Sequence, residues 1–74
     1  MASAEDAERV WAAAVTAADA AEAEYNRLSS LGGVTDGEVQ NAAAAWVGAE
    51  TRVTEAKEDM EAAQRAEEAT RAQE

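Results

Sequence analysis

Small and apolar residues recur with a strict 3-4 spacing in two stretches of the chain, separated by one cluster of helix-breaking residues at 29–37. This spacing is the a/d pattern of heptad repeats, so it predicts two amphipathic helices whose apolar stripes pack together. The sequence therefore predicts an all-α fold, an antiparallel two-helix hairpin, with helices at about 3–30 and 36–70 and a turn at about 31–35. The a and d positions are Ala4, Ala7, Trp11, Ala14, Ala18, Ala21, Tyr25 and Leu28 in the first helix, and Val39, Ala42, Trp46, Ala49, Val53, Ala56, Met60 and Ala63 in the second.

Capping signals mark both helix starts. Ser3 is a good N-cap for the first helix, because its hydroxyl oxygen accepts from an unpaired N–H of the first turn. Thr35-Asp36-Gly37-Glu38 is a capping box, with Thr35 as the N-cap and Glu38 reaching back from the third helical position. At the end of the first helix, Gly32 is expected to adopt the left-handed conformation of a C-cap.

Alanine dominates the predicted seam, and in the second helix the larger residue is always at a and alanine always at d. Folding the chain about Gly33 places Ala21 near Trp46 and Tyr25 near Ala42, so each large residue is expected to meet a small one. Such a seam resembles the alanine-rich antiparallel coiled coils known as Alacoils. The resemblance implies an architecture and no function.

The chain is short for an independent fold. Its 74 residues form one domain, 1–74, and most of its 47% hydrophobic content is alanine, which buries a single methyl group. Without cysteine it has no disulfide, and without cysteine and histidine a stabilising metal site is not expected. A partner is therefore the expected source of further stability. That partner is another protein or copies of the chain itself, completing a helical bundle. A frayed acidic tail is expected beyond about residue 70.

A net charge of −10 bears on the class of partner. Nucleic acids and anionic membranes attract clustered Lys and Arg, so neither is an expected partner. No apolar stretch is long enough to span a membrane, and the acidic start of the chain is unlike a signal peptide. The expected location is the cytoplasm or a particle. Abundant alanine and a single lysine, with no isoleucine or phenylalanine, indicate a GC-rich bacterium or its phage.

Catalytic chemistry finds no support in the residue types present. Nucleophilic mechanisms usually need cysteine or histidine, and carboxylate catalysis needs a pocket that shifts a pKa, for which a two-helix hairpin has no room. Asp36 and Glu38 are explained by helix capping rather than by a calcium loop. The chain is therefore not expected to be an enzyme, or to bind a cofactor, a metal or a small-molecule substrate.

Apolar residues extend sideways beyond the two-helix seam, and a tryptophan is too large for such a seam to cover completely. This surplus predicts a non-enzymatic structural or protein–protein interaction module, a small accessory component of a larger assembly such as a phage particle. The candidate interaction residues are Val10, Trp11, Ala17, Ala43, Trp46 and Val47.

Two alternative functions follow from other features. The acidic surface suggests a decoy that inhibits a nucleic-acid-binding protein by mimicking phosphates. Trp46-Val47-Gly48 spells W-x-G, which resembles the motif of the small WXG-type secreted helical hairpins of Gram-positive bacteria and implies export. In that family the motif lies in the turn between the helices, whereas here it falls inside the predicted second helix. The family's tyrosine-based signal after the second helix also has no counterpart, since Tyr25 is the only tyrosine.

Overall fold

The computed structural model describes residues 3–73, and two helices with a short turn account for that part of the chain. Helix α1 is Ala4–Ser30 and helix α2 is Asp36–Ala72. They pack against each other along a rod of 63 × 15 × 14 Å. The predicted all-α hairpin is confirmed. The predicted domain range, 1–74, extends beyond the described residues at both ends.

Side-chain caps begin both helices at the predicted residues. Ser3 Oγ accepts from the backbone N–H of Asp6 at 3.2 Å, and Thr35 Oγ1 accepts from that of Glu38 at 3.2 Å. Each bond satisfies one of the first-turn N–H groups that have no partner within the helix. Only half of the predicted capping box forms, because the hydrogen bonds of the described residues include none from the Thr35 N–H to the Glu38 carboxylate.

The turn reverses the chain at Gly33, which has φ +82°. The prediction of a left-handed Gly32 was wrong. Leu31 has an extended conformation (φ −86°, ψ 140°), and its N–H donates to Leu28 O at 3.3 Å, so α1 already ends there. The left-handed residue is therefore needed later, inside the turn, where glycine adopts it without steric cost.

The interior of the rod follows the 3-4 spacing. Every predicted a and d position is buried or half-buried, whereas most other described positions are exposed. Among the described residues the buried set is small, and Met60 is its only large member, so the hydrophobic effect has little area on which to act. The buried residues are Ala7, Ala18, Ala42, Ala49, Ala56 and Met60.

Two large seam residues contact each other, so the expectation that each large residue meets only a small one was wrong. The rings of Tyr25 and Trp46 lie 5.5 Å apart between centroids and are tilted by 33°. Long helical side chains lean toward the N-terminus of their own helix. In an antiparallel pair, two long side chains from successive layers can therefore lean toward each other and meet.

The two helices have unequal lengths, 27 residues for α1 and 37 for α2. At the end away from the turn, the Glu67 carboxylate accepts a 2.8 Å hydrogen bond from the Ala4 backbone N–H. A negative charge at this position also interacts favourably with the dipole of α1, which is positive at its N-terminus. All described residues of α2 after Ala63 are exposed, and the helix continues to Ala72, slightly beyond the predicted end at about residue 70.

Candidate interaction surface

The two tryptophans lie on the seam, one in each helix, and both are half-buried. Trp46 Nε1 donates to Glu50 Oε1 at 3.2 Å, which satisfies its indole N–H. Trp11 Nε1 is buried and has no hydrogen-bond partner among the described residues. An unsatisfied buried donor costs about 1–3 kcal/mol, so the two indoles differ in what they contribute to stability.

Two valines are the most exposed large apolar side chains of the described residues. Val10 of α1 is 62% exposed and Val47 of α2 is 65% exposed, and Leu31 at the turn is 49% exposed. None of these residues belongs to the a/d pattern. They are large apolar side chains that the hairpin leaves in water, and the two valines are among the candidate interaction residues.

The predicted interaction residues fall into two separate groups. Val47 adjoins Trp46, whose ring contacts that of Tyr25, so Val47 lies near the level of Tyr25 along the rod. Val10 is 15 positions before Tyr25, which is about 22 Å along α1. Val10 also precedes a seam residue, and Val47 follows one. Because successive residues are about 100° apart around a helix, these positions point to opposite flanks of an antiparallel pair.

The remaining candidates follow the same division. Ala17 is exposed and lies on the flank of Val10, whereas Ala43 is half-buried and lies on the flank of Val47. Trp11 and Trp46 occupy the seam beside their respective valines. Because the patches lie on opposite flanks and are separated along the rod, one flat partner surface would not contact both.

An open groove of about 340 Å³ lies beside Val47 on the surface of α2, and we call it the Val47 groove. The Thr51 hydroxyl donates to Val47 O at 3.0 Å, and the Thr54 hydroxyl donates to Glu50 O at 3.3 Å. Both hydroxyl groups are thus used within the helix, which leaves the groove mainly apolar with one carboxylate. Its lining residues are Trp46, Val47, Glu50, Thr51 and Thr54.

A larger groove, of about 670 Å³, lies at the open end of the hairpin, where α2 extends past the start of α1. Sequence reasoning did not find this feature. The unequal lengths of the two predicted helices, about 3–30 and 36–70, are the signal that was available, because the longer helix must leave part of its face uncovered. Its lining residues are Ser3, Ala62, Ala63, Ala66, Glu67, Thr70 and Arg71.

The ion pairs of the described residues are local and exposed. Arg9 contacts Glu5 at 2.9 Å and Asp6 at 3.4 Å, and the Arg27 guanidinium binds the Glu24 carboxylate through two N–H groups. The hydrogen bond from Arg27 lowers the pKa of Glu24, and the same contact raises the pKa of Arg27. Exposed pairs of this kind contribute little to stability. They do support the individual helices.

Within residues 3–73, no group of three or more acidic side chains is arranged to hold a metal ion. No helix in this range has the length and apolar character needed to cross a membrane.

Comparisons with protein-family models, with curated proteins and with solved structures found no match to this chain.

Proposed function

We propose that this protein is a non-enzymatic protein–protein interaction module, a small accessory component of a larger assembly. Its hairpin presents the two flank patches, around Val10 and around Val47, to partner proteins or to copies of itself. Binding buries apolar surface that two helices cannot cover, so association stabilises the fold.

The observation that carries this proposal is the contrast between the buried and the exposed apolar residues. The buried set consists of five alanines and Met60, while Val10 and Val47 remain largely in water. A chain selected only to fold alone would gain more by burying its valines than its alanines, at about 0.8 kcal/mol for each additional methylene. Exposed valines beside an alanine core therefore favour a role in association.

Charge provides the main alternative, an acidic decoy. A decoy would bind through its carboxylates, so its affinity would fall steeply as salt screens the charges. The apolar patches support the interaction module instead, because contacts of buried apolar surface lose little affinity in salt. As for the W-x-G resemblance, Trp46 lies inside α2 rather than in the turn at 31–35, so the position of the motif does not favour that family.

Light scattering after size-exclusion chromatography tests the proposal, together with thermal melts at several protein concentrations in low and high salt. Val10→Asp and Val47→Asp each place a charge on one exposed patch without entering the seam. Ala23→Asp, at an exposed position on the face of α1 that points away from the seam and from both flanks, is the control for added charge.

Self-association through a patch predicts an oligomer whose melting temperature rises with concentration, and the corresponding valine variant should lose this rise. A monomer that binds a host protein in high salt, and loses the interaction in either valine variant, would also support the proposal. A monomer whose host interactions all vanish in high salt and are unaffected by either valine variant would contradict it and favour the decoy.

A further inference from the structure

We propose that the Val47 groove binds a cationic amphipathic helix of a partner protein, with an apolar side chain against Val47 and a Lys or Arg beside Glu50. This inference rests on the proposed function and adds the location and chemistry of one partner. Three observations carry it: the lining of the groove, the charges around it and the absence of strand edges in the described residues.

The lining sets one apolar contact beside one anion. The isopropyl group of Val47 is largely exposed, and the hydroxyls of Thr51 and Thr54 are committed to backbone carbonyls. Trp46 Nε1 binds Oε1 of Glu50, which holds the carboxylate at the edge of the groove. The other oxygen of Glu50 accepts no hydrogen bond among the described residues. An ammonium or guanidinium group could donate to it in a charge-assisted bond.

Charge decides the sign of the partner. Neither 10–26 of α1 nor 36–51 of α2 contains a lysine or arginine, and together these segments carry six acidic residues. Of the two closest cations along α2, Arg52 is about 140° around the helix from Val47, and Lys57 lies one turn past the end of the groove. Glu24 is paired with Arg27, and the other five acidic residues leave a net negative field around the groove. This field speeds association with a cationic partner and selects against acidic partners.

The same charges disfavour a second copy of this chain as the occupant. A symmetric contact through the groove would place the Glu50 side chains of both copies in one interface, and each copy would bring the acidic segments around its own groove. Like charges in a desolvated contact cost several kcal/mol. A partner with positive charge removes this cost.

The helical form of the partner follows from the fold. Residues 3–73 contain helices, a turn and a bend, so an extended peptide would find no strand edge on which to add hydrogen bonds. The groove runs along α2 from Trp46 to Thr54, about 12 Å, and a third helix lying there would complete a small bundle. Apolar side chains one turn apart on that helix would reach Val47 and the Thr51 methyl group.

The test uses a synthetic helical peptide of leucine and lysine in amphipathic spacing, and a matched peptide in which every lysine is glutamate. Titration calorimetry measures affinity for the full chain, and amide chemical shifts locate the contact. The variants are Val47→Asp and Glu50→Gln, with Val10→Asp and Glu55→Gln as controls of equal charge change on the opposite flank. Circular dichroism checks that each variant remains helical.

The expected result is that the lysine peptide binds, the glutamate peptide does not, and the shifts concentrate in 43–54. Val47→Asp should weaken binding about tenfold although it adds an attractive charge, and Glu50→Gln should weaken it severalfold, while each control changes affinity less than about twofold. Equal effects in Val10→Asp and Val47→Asp, or shifts spread over the whole acidic surface, would overturn the inference and indicate general charge attraction.

The outcome is separable from that of the proposed function. If Val47→Asp abolishes self-association in light scattering while the lysine peptide fails to bind the groove, the interaction module stands and the cationic helix is refuted. If the valine variants change neither self-association, host binding nor peptide binding, both proposals fail.

Discussion

In the half of the hairpin next to the turn, the Trp46 ring contacts that of Tyr25 at a tilt, and its N–H donates to Glu50. In the open half, the indole N–H of Trp11 is buried without a partner within residues 3–73, and the large buried side chain is Met60. The two halves thus place a tryptophan at equivalent seam positions with different surroundings. In the turn half the indole N–H is hydrogen-bonded, whereas the stability of the open half depends on the burial of apolar side chains.

This difference shows that, in an alanine seam, the contacts of each large residue depend on its immediate neighbours. Alanines let the helices approach closely, but they provide little buried area, so a single large side chain has a large share of the stability of its half. The turn half also contains Gly33 and the Thr35 cap, which hold the chain reversal. Mutations should therefore act through packing in the open half and through polar and backbone geometry in the turn half.

Met60→Ala should cause the largest loss of stability of any single truncation in the seam. Met60 is 7% exposed and is the only large buried side chain of the described residues, so its truncation should lower the free energy of unfolding by about 2–5 kcal/mol. Chemical denaturation measures the change. Met60→Leu, which conserves volume, should cost less than about 1.5 kcal/mol. Equal stability of Met60→Ala and the parent chain would show that the open half does not depend on this burial.

Gly33→Ala should destabilise the turn half by about 1–2 kcal/mol, because φ +82° is strained for a residue with a Cβ atom. Gly32→Ala is the matched control, since its added methyl group meets no atom within 4 Å and its φ is not positive. The control should be neutral or slightly stabilising. Thermal melts measure the loss of stability. A greater loss for Gly32→Ala than for Gly33→Ala would contradict this prediction and indicate that Gly32 is the left-handed residue.

Phenylalanine at each tryptophan compares the two indoles directly. Trp46→Phe removes a hydrogen bond to a carboxylate, and Trp11→Phe removes a donor that has no partner in the part of the chain that the structure describes. The loss of stability should therefore be greater for Trp46→Phe by about 0.5–1.5 kcal/mol. Denaturant titrations of both variants give the difference. A larger loss for Trp11→Phe would mean that the Trp11 N–H has a partner in solution.

Glu67→Gln tests the contact that ties the end of α2 to the start of α1. The charged carboxylate accepts from the Ala4 N–H at 2.8 Å, so its neutral analogue should cost about 0.3–1 kcal/mol. Glu68→Gln removes the same charge from an exposed neighbour and should have a smaller effect. If the two variants have the same melting temperature, the Glu67 contact does not stabilise the open end.

The smallest effect concerns the Glu24–Arg27 pair of the turn half. Because Arg27 lowers the pKa of Glu24 in the folded chain, the pair stabilises the fold above the ordinary pKa of glutamate. That contribution is lost as the pH falls through the lowered value. The difference in melting temperature between the parent chain and Glu24→Gln should therefore be present at neutral pH and disappear in acid, as the pH falls below the lowered pKa of Glu24. A difference that persists in acid would assign it to something other than the ion pair.

The 3-4 spacing was sufficient to predict the helices and the seam, because burial on a helix follows its periodicity and no proline or distant element competes with it. Ser3 and Thr35 could likewise be assigned as caps, since their bonds are made within one turn. These are local properties. They depend on residues three or four positions apart, which the sequence displays directly.

Features that depend on the two helices together were predicted less well. The ring contact between Tyr25 and Trp46 depends on the direction in which each side chain leans, and the bond from Ala4 to Glu67 depends on the axial match of the helix ends. Spacing alone contains neither quantity. For the candidate surface, exposed Val10 and Val47 could be named from the heptad, but they were grouped as one surface because the flanks were not compared.

The two helices close on each other within one chain and leave both valine patches uncovered. The most direct test is a spin-label distance in Glu8→Cys/Gln64→Cys, since the chain has no other cysteine, diluted with unlabelled protein so that only intrachain pairs contribute. Packed helices with axes about 8–10 Å apart predict a label separation below about 30 Å. An opened chain of continuous helix, as in a domain-swapped dimer, predicts a label separation of about 80 Å, and this result would contradict closure of the two helices within one chain.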